Sequence, residues 1–347
     1  MTAATESDGF AVAAAAGVHR LSIPTPFAVG RVNCYLIDDE PLTLVDAGPN
    51  SGTSFDELTQ GLEALGKSLE EIELVVITHQ HIDHLGLVGL VAARSGAEVA
   101  TIEHAVPMVE NFADEMQADD DFAAATMLRH GITEDVVRAL QSVSRAFRAW
   151  GAPAKVTRVL REGDEMKFRD RTWKVHWRPG HSPTDTVFED AERRTLIAAD
   201  HLLGHISSNP LIARPLAGST ERPQALVTYL DSLTKTRAMD LDLVLPGHGD
   251  PVTNHRELID TRFAMHRRRA DKLHRLIAER PRSAHELAQA LWGNIAVTQA
   301  YLTLSEILGH TDLLLNDGKV REIEDGDGAG ATVRFESIAA PAEAPSR

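Results

Sequence analysis

Between residues 72 and 84 the chain reads IELVVITHQHIDH, and past Thr78 it presents His79, His81, Asp83 and His84. Imidazole nitrogens and carboxylate oxygens in such density are the ligands a divalent cation takes. A chain leaving a strand in a tight turn aims positions 79 and 81 to one side and 83 and 84 to the other, which suits two neighbouring metals. Single histidines at a strand end are more often solvated or hydrogen-bonded. The metal reading therefore requires further ligands downstream.

Three later strand ends supply them. The segment from Arg171 to Arg178 ends in Pro179-Gly180-His181, that from Arg194 to Ala199 in Asp200-His201, and that from Leu241 to Leu245 in Pro246-Gly247-His248. Glycine before a ligand permits close backbone approach to a metal. Alone, Asp200 reads as a helix cap and His248 as a loop residue. Together, four strand ends deliver five histidines and two aspartates, a count that matches two four- to five-coordinate metals sharing a water and a bridging carboxylate. Asp46, before Ala47-Gly48-Pro49, either orients a ligand histidine or forms a turn. His201, His205 and Asn209 follow the bridging aspartate closely. They are candidates for substrate contact or leaving-group protonation, or else for loop hydrogen bonds.

The positioning elements alternate. Ile72–Ile77 is a nearly unbroken apolar, β-branched run, as a strand buried on both faces requires. A hairpin over Arg31–Ile37 and Leu42–Asp46 precedes it, with a helix over 55–65 between. A helix over 85–94 and a strand over 98–102 follow. Strand and helix in turn define an α/β layer architecture. From about His104 to Pro153 the text turns helical and carries the acidic run Asp119–Asp121, an insertion placed to form a lid or substrate wall. From Asn254 the pattern is a long helix, two further helical stretches over 284–292 and 297–315, and a hairpin, 319–323 with 332–335, around Asp325-Gly326-Asp327-Gly328.

The order and spacing of His79-x-His81-x-Asp83-His84, Gly180-His181, Asp200 and Gly247-His248 resemble those of the metallo-β-lactamase fold hydrolases, over about residues 19–253. That resemblance implies a four-layer αββα sandwich. It implies one metal on His79, His81 and His181, a second on Asp83, His84 and His248, and Asp200 bridging. The pattern is closest to the hydroxyacylglutathione hydrolase branch; the antibiotic-degrading lactamases commonly place a cysteine at the second metal, and Cys34 lies far from that position in the sequence. Where that branch often reads Gly-His-Ser/Thr-Pro-Gly-His, this chain has Asp185 in place of the second histidine, either an outer acceptor or a turn residue. The C-terminal helices and hairpin look like a winged helix. The organisation expected is a weakly ordered start at 1–18, a hydrolase domain at 19–253 with its insertion at 104–153, a linker helix and winged helix at 254–336, and a tail at 337–347.

Composition sets the limits. With 347 residues, 43% hydrophobic and 25% charged, the chain is expected to be a soluble globular protein. No apolar run reaches the roughly 20 residues of a membrane span. The Ala-rich stretch 11–18 lacks a basic leader, so no secretory signal is expected. The single cysteine forbids an intramolecular disulfide and fits a cytoplasmic protein. A net charge of −16 opposes nonspecific binding to nucleic acid or anionic membrane. The third C-terminal helix offers Glu306, His310 and Asp312 where phosphate contacts would need Lys or Arg. The expectation is a hydrolase with two divalent ions, zinc first and iron or manganese next. A metal-bridged hydroxide, oriented by Asp83 or Asp200, would attack a thioester or lactone carbonyl of a small-molecule substrate. The alternative is a phosphodiesterase or endoribonuclease on the same site. Homo-oligomer formation is left open.

Overall fold

The structure is a computed structural model, and it describes residues 7–216, 221–326 and 331–338. In chain order the elements are α1 (Ser7–Ala15), β1 (Val18–Ile23), β2 (Val32–Ile37), β3 (Thr43–Val45), α2 (Gly52–Ala64), β4 (Leu74–Val76), α3 (Ile82–Leu85), α4 (Val88–Ser95), β5 (Glu98–Ile102), α5 (Val106–Glu110), α6 (Phe112–Arg129), α7 (Glu134–Phe147), β6 (Arg158–Leu160), β7 (Glu165–Lys167), β8 (Thr172–Trp177), β9 (Thr186–Asp190), β10 (Thr195–Ala199), α8 (Ala225–Arg237), β11 (Leu243–Pro246), α9 (His255–Glu279), β12 (Arg282–Ser283), α10 (Ala284–Trp292), α11 (Ile295–Thr298), α12 (Ala300–Asn316), β13 (Val320–Asp325) and β14 (Thr332–Ser337). They group into two compact units.

The first unit comprises residues 1–118, 145–208 and 232–259. A six-stranded sheet runs β1-β2-β3-β4-β5-β6 and a five-stranded sheet runs β11-β10-β9-β8-β7. In the first, β3, β4, β5 and β6 are parallel, so each needs a crossover segment. Both sheets contribute to one apolar core: Leu36, Leu44 and Val75 from the first meet Trp173, Val175, Phe188 and Leu245 from the second. The apolar run ending at Ile77 thus serves a strand covered on both sides, and β4 is buried throughout. The two sheets, packed face to face with helices outside the strands, form the α/β layered sandwich expected from the alternating pattern.

Of the start expected to be weakly ordered, residues 1–6 lie outside the described residues, and α1 forms over Ser7–Ala15. Ala13 is buried in the core, Phe10 packs against it, and Arg20 lies over the Phe10 ring at 4.2 Å. Phe10 and Ala13 thus anchor α1 to the core.

The second unit comprises residues 119–144, 209–231 and 260–347. The acidic run Asp119–Asp121 therefore groups with the C-terminal unit. Its core gathers Met127, Ile132, Leu273, Ile277, Leu287, Leu304, Ile307 and Phe335. A small sheet runs β12-β14-β13. Asp327 and Gly328 of the expected hairpin turn, and most of the expected 337–347 tail, lie outside the described residues. Among the described residues no helix is long and apolar enough to cross a membrane.

Candidate metal centre

Each candidate ligand in the first unit sits just past a strand end, and several are fixed by a hydrogen bond on the side away from their neighbours. Asp46 leaves β3 with φ of 58°, a conformation short polar side chains tolerate. Its carboxylate accepts from the Thr78 amide (2.9 Å), the Thr78 hydroxyl (2.8 Å) and His84 Nδ1 (2.7 Å). Thr78 has spent its only proton on Asp46, so it accepts from His79 Nδ1–H across 3.0 Å. Both rings are left with a bare Nε2. His248 repeats the device, its Nδ1 donating to the Arg31 carbonyl at 2.9 Å. Its loop is tied to β2: Asn33 Nδ2 donates to the carbonyls of Pro246 (3.0 Å) and Gly249 (2.9 Å), and the Tyr35 hydroxyl donates to Pro246 (2.7 Å).

The His181 loop hangs on Gln80. The Gln80 side-chain oxygen accepts from Ser182 Oγ at 2.9 Å and from Thr184 Oγ1, while the Ser182 amide donates to Asp185 at 2.9 Å. The turn carrying His181 is thereby bonded to the turn carrying His79 and His81.

These supports bring seven side chains together. His81 Nδ1 lies 3.0 Å from His79 Nε2 and 3.0 Å from His181 Nε2. His248 Nε2 lies 3.4 Å from Asp83 Oδ2, and His84 Nε2 lies 3.5 Å from Asp200 Oδ1. Asp200 Oδ2 is 3.5 Å from both His181 Nε2 and His248 Nε2. It stands between the two triads, His79–His81–His181 and Asp83–His84–His248. Nitrogens bound tetrahedrally at ~2.0–2.1 Å from one zinc stand about 3.3 Å apart. His84 Nε2, His248 Nε2 and Asp200 Oδ1 are buried with no hydrogen-bond partner, a costly state for polar atoms unless a cation completes them. A Cβ on Gly247 would fall 2.2 Å from Asp200 Oδ1, so the bare backbone there is part of the cradle. The donor set fits two divalent ions.

The electrostatics favour the ligating form at His79, His81, Asp83 and Asp200. Burial holds the His79 and His81 imidazoles neutral, His81 at about 3, with the neighbouring rings adding to the effect. Burial opposes ionisation of Asp200 and Asp83, but the surrounding imidazoles outweigh it and hold both carboxyls below their ordinary value. Neutral rings and ionised carboxylates are the forms that ligate metal. Burial also opposes protonation of His84, yet Asp46, Asp200 and Asp83 raise it. Burial likewise opposes protonation of His248, and Asp200 and Asp83 raise it, so both rings would give up a proton to an incoming ion.

The remaining sequence candidates are placed as follows. His201 is buried and its Nε2 bonds Thr236 Oγ1 at 2.8 Å. His205 packs over Gly249, beside His248. Asn209 falls in the second unit, where its amide donates to the Leu302 carbonyl at 3.1 Å. Asp185 is buried, and desolvation, offset in part by His181, lifts its carboxyl to about 6. Thr78, Gln80, Asn33 and Tyr35 are supports the sequence reading lacks.

A sandwich of two mixed sheets with this His/Asp set at its strand ends defines a class. Residues 28–248 match the family model of the metallo-beta-lactamase superfamily, and the chain belongs to that superfamily. A Bacillus subtilis protein described as probable metallo-hydrolase YqjP is 32% identical over 320 residues, 92% of this chain and 97% of that one. Among solved structures, the metallo-beta-lactamase family protein TTHA1429 from Thermus thermophilus is 25% identical with a TM-score of 0.78, covering 93% of this chain and 99% of its own. A beta-lactamase domain protein from Burkholderia ambifaria is 28% identical with a TM-score of 0.77, covering 93% and 92%.

Proposed function

We propose that the chain is a binuclear metal-dependent hydrolase, closest in kind to the hydroxyacylglutathione hydrolase branch, and that it cleaves a thioester or lactone carbonyl in a small molecule. The observation that carries the reading is Asp200, whose carboxylate stands within 3.5 Å of histidines belonging to two separate ligand triads. His79, His81 and His181 would hold one ion and Asp83, His84 and His248 the other, zinc being the first choice for such a set. Two ions held there would supply Lewis acidity for the attacked carbonyl and lower the pKa of a bound water toward ~7. Asp83 or Asp200 would orient that water and take its proton. His205, packed over Gly249, is retained as a candidate substrate contact.

The C-terminal unit is read as a winged helix that has given up nucleic acid. Glu306, His310 and Asp312 on α12 bond to Arg269, His266 and Arg222 of their own unit. His310 and Asp312 are fully buried. A helix turned inward in this way leaves no face for a groove, and the charge of −16 repels phosphate. The lone buried Cys34 and the absence of a spanning helix among the described residues support a cytoplasmic setting.

The test is the initial rate of the zinc-reconstituted protein on an acyl thioester and a lactone, beside an activated phosphodiester and a short RNA, with Asp200→Ala as control. Cleavage of a carbonyl substrate, lost in the variant, supports the proposal. Cleavage of the phosphodiester or RNA alone overturns it in favour of a nuclease.

A further inference from the structure

We propose that His266, Glu306 and His310 form a further divalent-cation site, inside the C-terminal unit, where a zinc ion would clamp α9 to α12. The site is built entirely from that unit and does not depend on the hydrolase reading.

The arrangement follows from two helices. Glu306 and His310 stand one turn apart on α12 and so share a face. His266, on α9, meets that face: its Nδ1 lies 3.1 Å from His310 Nε2. One ligand-capable atom from each of the three side chains lies within 4.8 Å of the other two. Two imidazole nitrogens on a tetrahedral zinc are about 3.3 Å apart, so an ion needs only a small opening of the observed pair. His310 Nδ1 donates to the Glu306 backbone carbonyl at 2.6 Å. That fixes the tautomer with a bare Nε2 toward His266, the support that metal-bound histidines ordinarily have. Both rings are buried, 1% and 0% exposed, and desolvation depresses the pKa of each, His266 to about 3 with His310 adding to it. They are neutral, as a ligand must be.

A direct hydrogen bond from His266 Nδ1–H to His310 Nε2 would explain the 3.1 Å distance. His266 Nε2 is buried without a partner and stays so whether Nδ1 hydrogen-bonds or ligates, so metal stoichiometry separates the two arrangements. Arg269 is the competitor. It pairs with Glu306, and its guanidinium also lies 5.7 Å from the Trp292 ring centroid, a second resting place once a cation takes the carboxylate. Two imidazoles and one carboxylate suit zinc, and exclude the all-oxygen preference of calcium and magnesium.

Zinc titration of the full-length protein against a chromophoric chelator decides the matter. His266→Gln and His310→Gln should each bind about one equivalent less than the wild type, with the rest unchanged. Arg269→Gln, which removes the competing cation, should tighten that equivalent several-fold. Equal stoichiometry in the wild type and both histidine variants would overturn the proposal and leave a hydrogen-bonded histidine pair. So would an extra equivalent that persists in the variants, which would be adventitious zinc elsewhere. Thermal unfolding with and without zinc guards against misfolding: the wild type should gain several degrees that the variants, folded but unclamped, gain less of.

Discussion

Asp46 Oδ2 and His84 Nδ1 stand 2.7 Å apart, both buried, with the same carboxylate also holding the Thr78 backbone and hydroxyl. One residue at the end of β3 therefore aims two candidate ligands: His79, just past β4, through Thr78, and His84, on α3, directly. The parallel pairing of Val45 with Val76 makes this reach possible, since it brings the two strand ends side by side.

Asp46→Asn should keep the fold, because asparagine tolerates the φ of 58° found there, while removing the charge that orients His84. Zinc affinity should fall about 10- to 100-fold. Chelator competition on the purified variant measures this, and an unchanged affinity would reduce Asp46 to a turn residue.

The seven clustered candidate ligands are legible because metal chemistry demands particular residue types, and strand ends bounded by glycine or a fading apolar run announce where they emerge. The supports are not. Gln80 reads as a neutral spacer between two histidines until Ser182 and Thr184, about a hundred residues later, come to it. Strand β9 was unread because Thr186–Asp190 mixes acidic with apolar residues yet is nearly all buried. His201 drew attention by adjacency to Asp200, but side chains next to one another in a turn point apart, and its ring bonds Thr236. Asn209 is close in sequence and belongs to the other unit, a partition that no local pattern encodes.

Gln80→Leu should loosen the His181 turn. It removes the shared acceptor of Ser182 Oγ and Thr184 Oγ1, both on buried residues, and leaves them only each other and the Thr184 amide, at a cost of about 1–3 kcal/mol. Because the ligands themselves are untouched, the expected signature is weaker retention of one zinc, read as faster metal loss to chelator, with Gln80→Glu partly restoring it. Unchanged metal release in the leucine variant would deny Gln80 a positioning role.

Acid stability offers a check at a histidine that is not a proposed ligand. His130 is buried, and desolvation, aided by Arg222 and Arg129, lowers its pKa to about 3. Between that value and the unfolded value near ~6.5 the unfolded chain holds a proton that the folded chain refuses. Stability from this group is thus complete above pH ~6.5 and drains as pH falls, by about 2 kcal/mol on reaching pH ~5. Urea unfolding at the two pH values, compared between wild type and His130→Gln, should show the smaller loss in the variant. Equal losses would mean that His130 gains its proton without unfolding.

Gly247→Ala tests the cradle itself. The added methyl would sit 2.2 Å from Asp200 Oδ1 and 3.0 Å from His84 Cε1. Neither group can retreat easily: Asp200 is buried beneath Ser208, whose hydroxyl donates to its backbone carbonyl, and His84 is held by Asp46. Zinc at about a hundred times its Kd stabilises a folded wild-type protein by about 2.7 kcal/mol. Gly247→Ala should forfeit most of that gain, since a displaced Asp200 no longer faces both triads. Differential scanning calorimetry with and without zinc reads the difference. A full zinc-induced rise in Tm in the alanine variant would show that Asp200 can move without loss of metal, and would remove it from the bridging position.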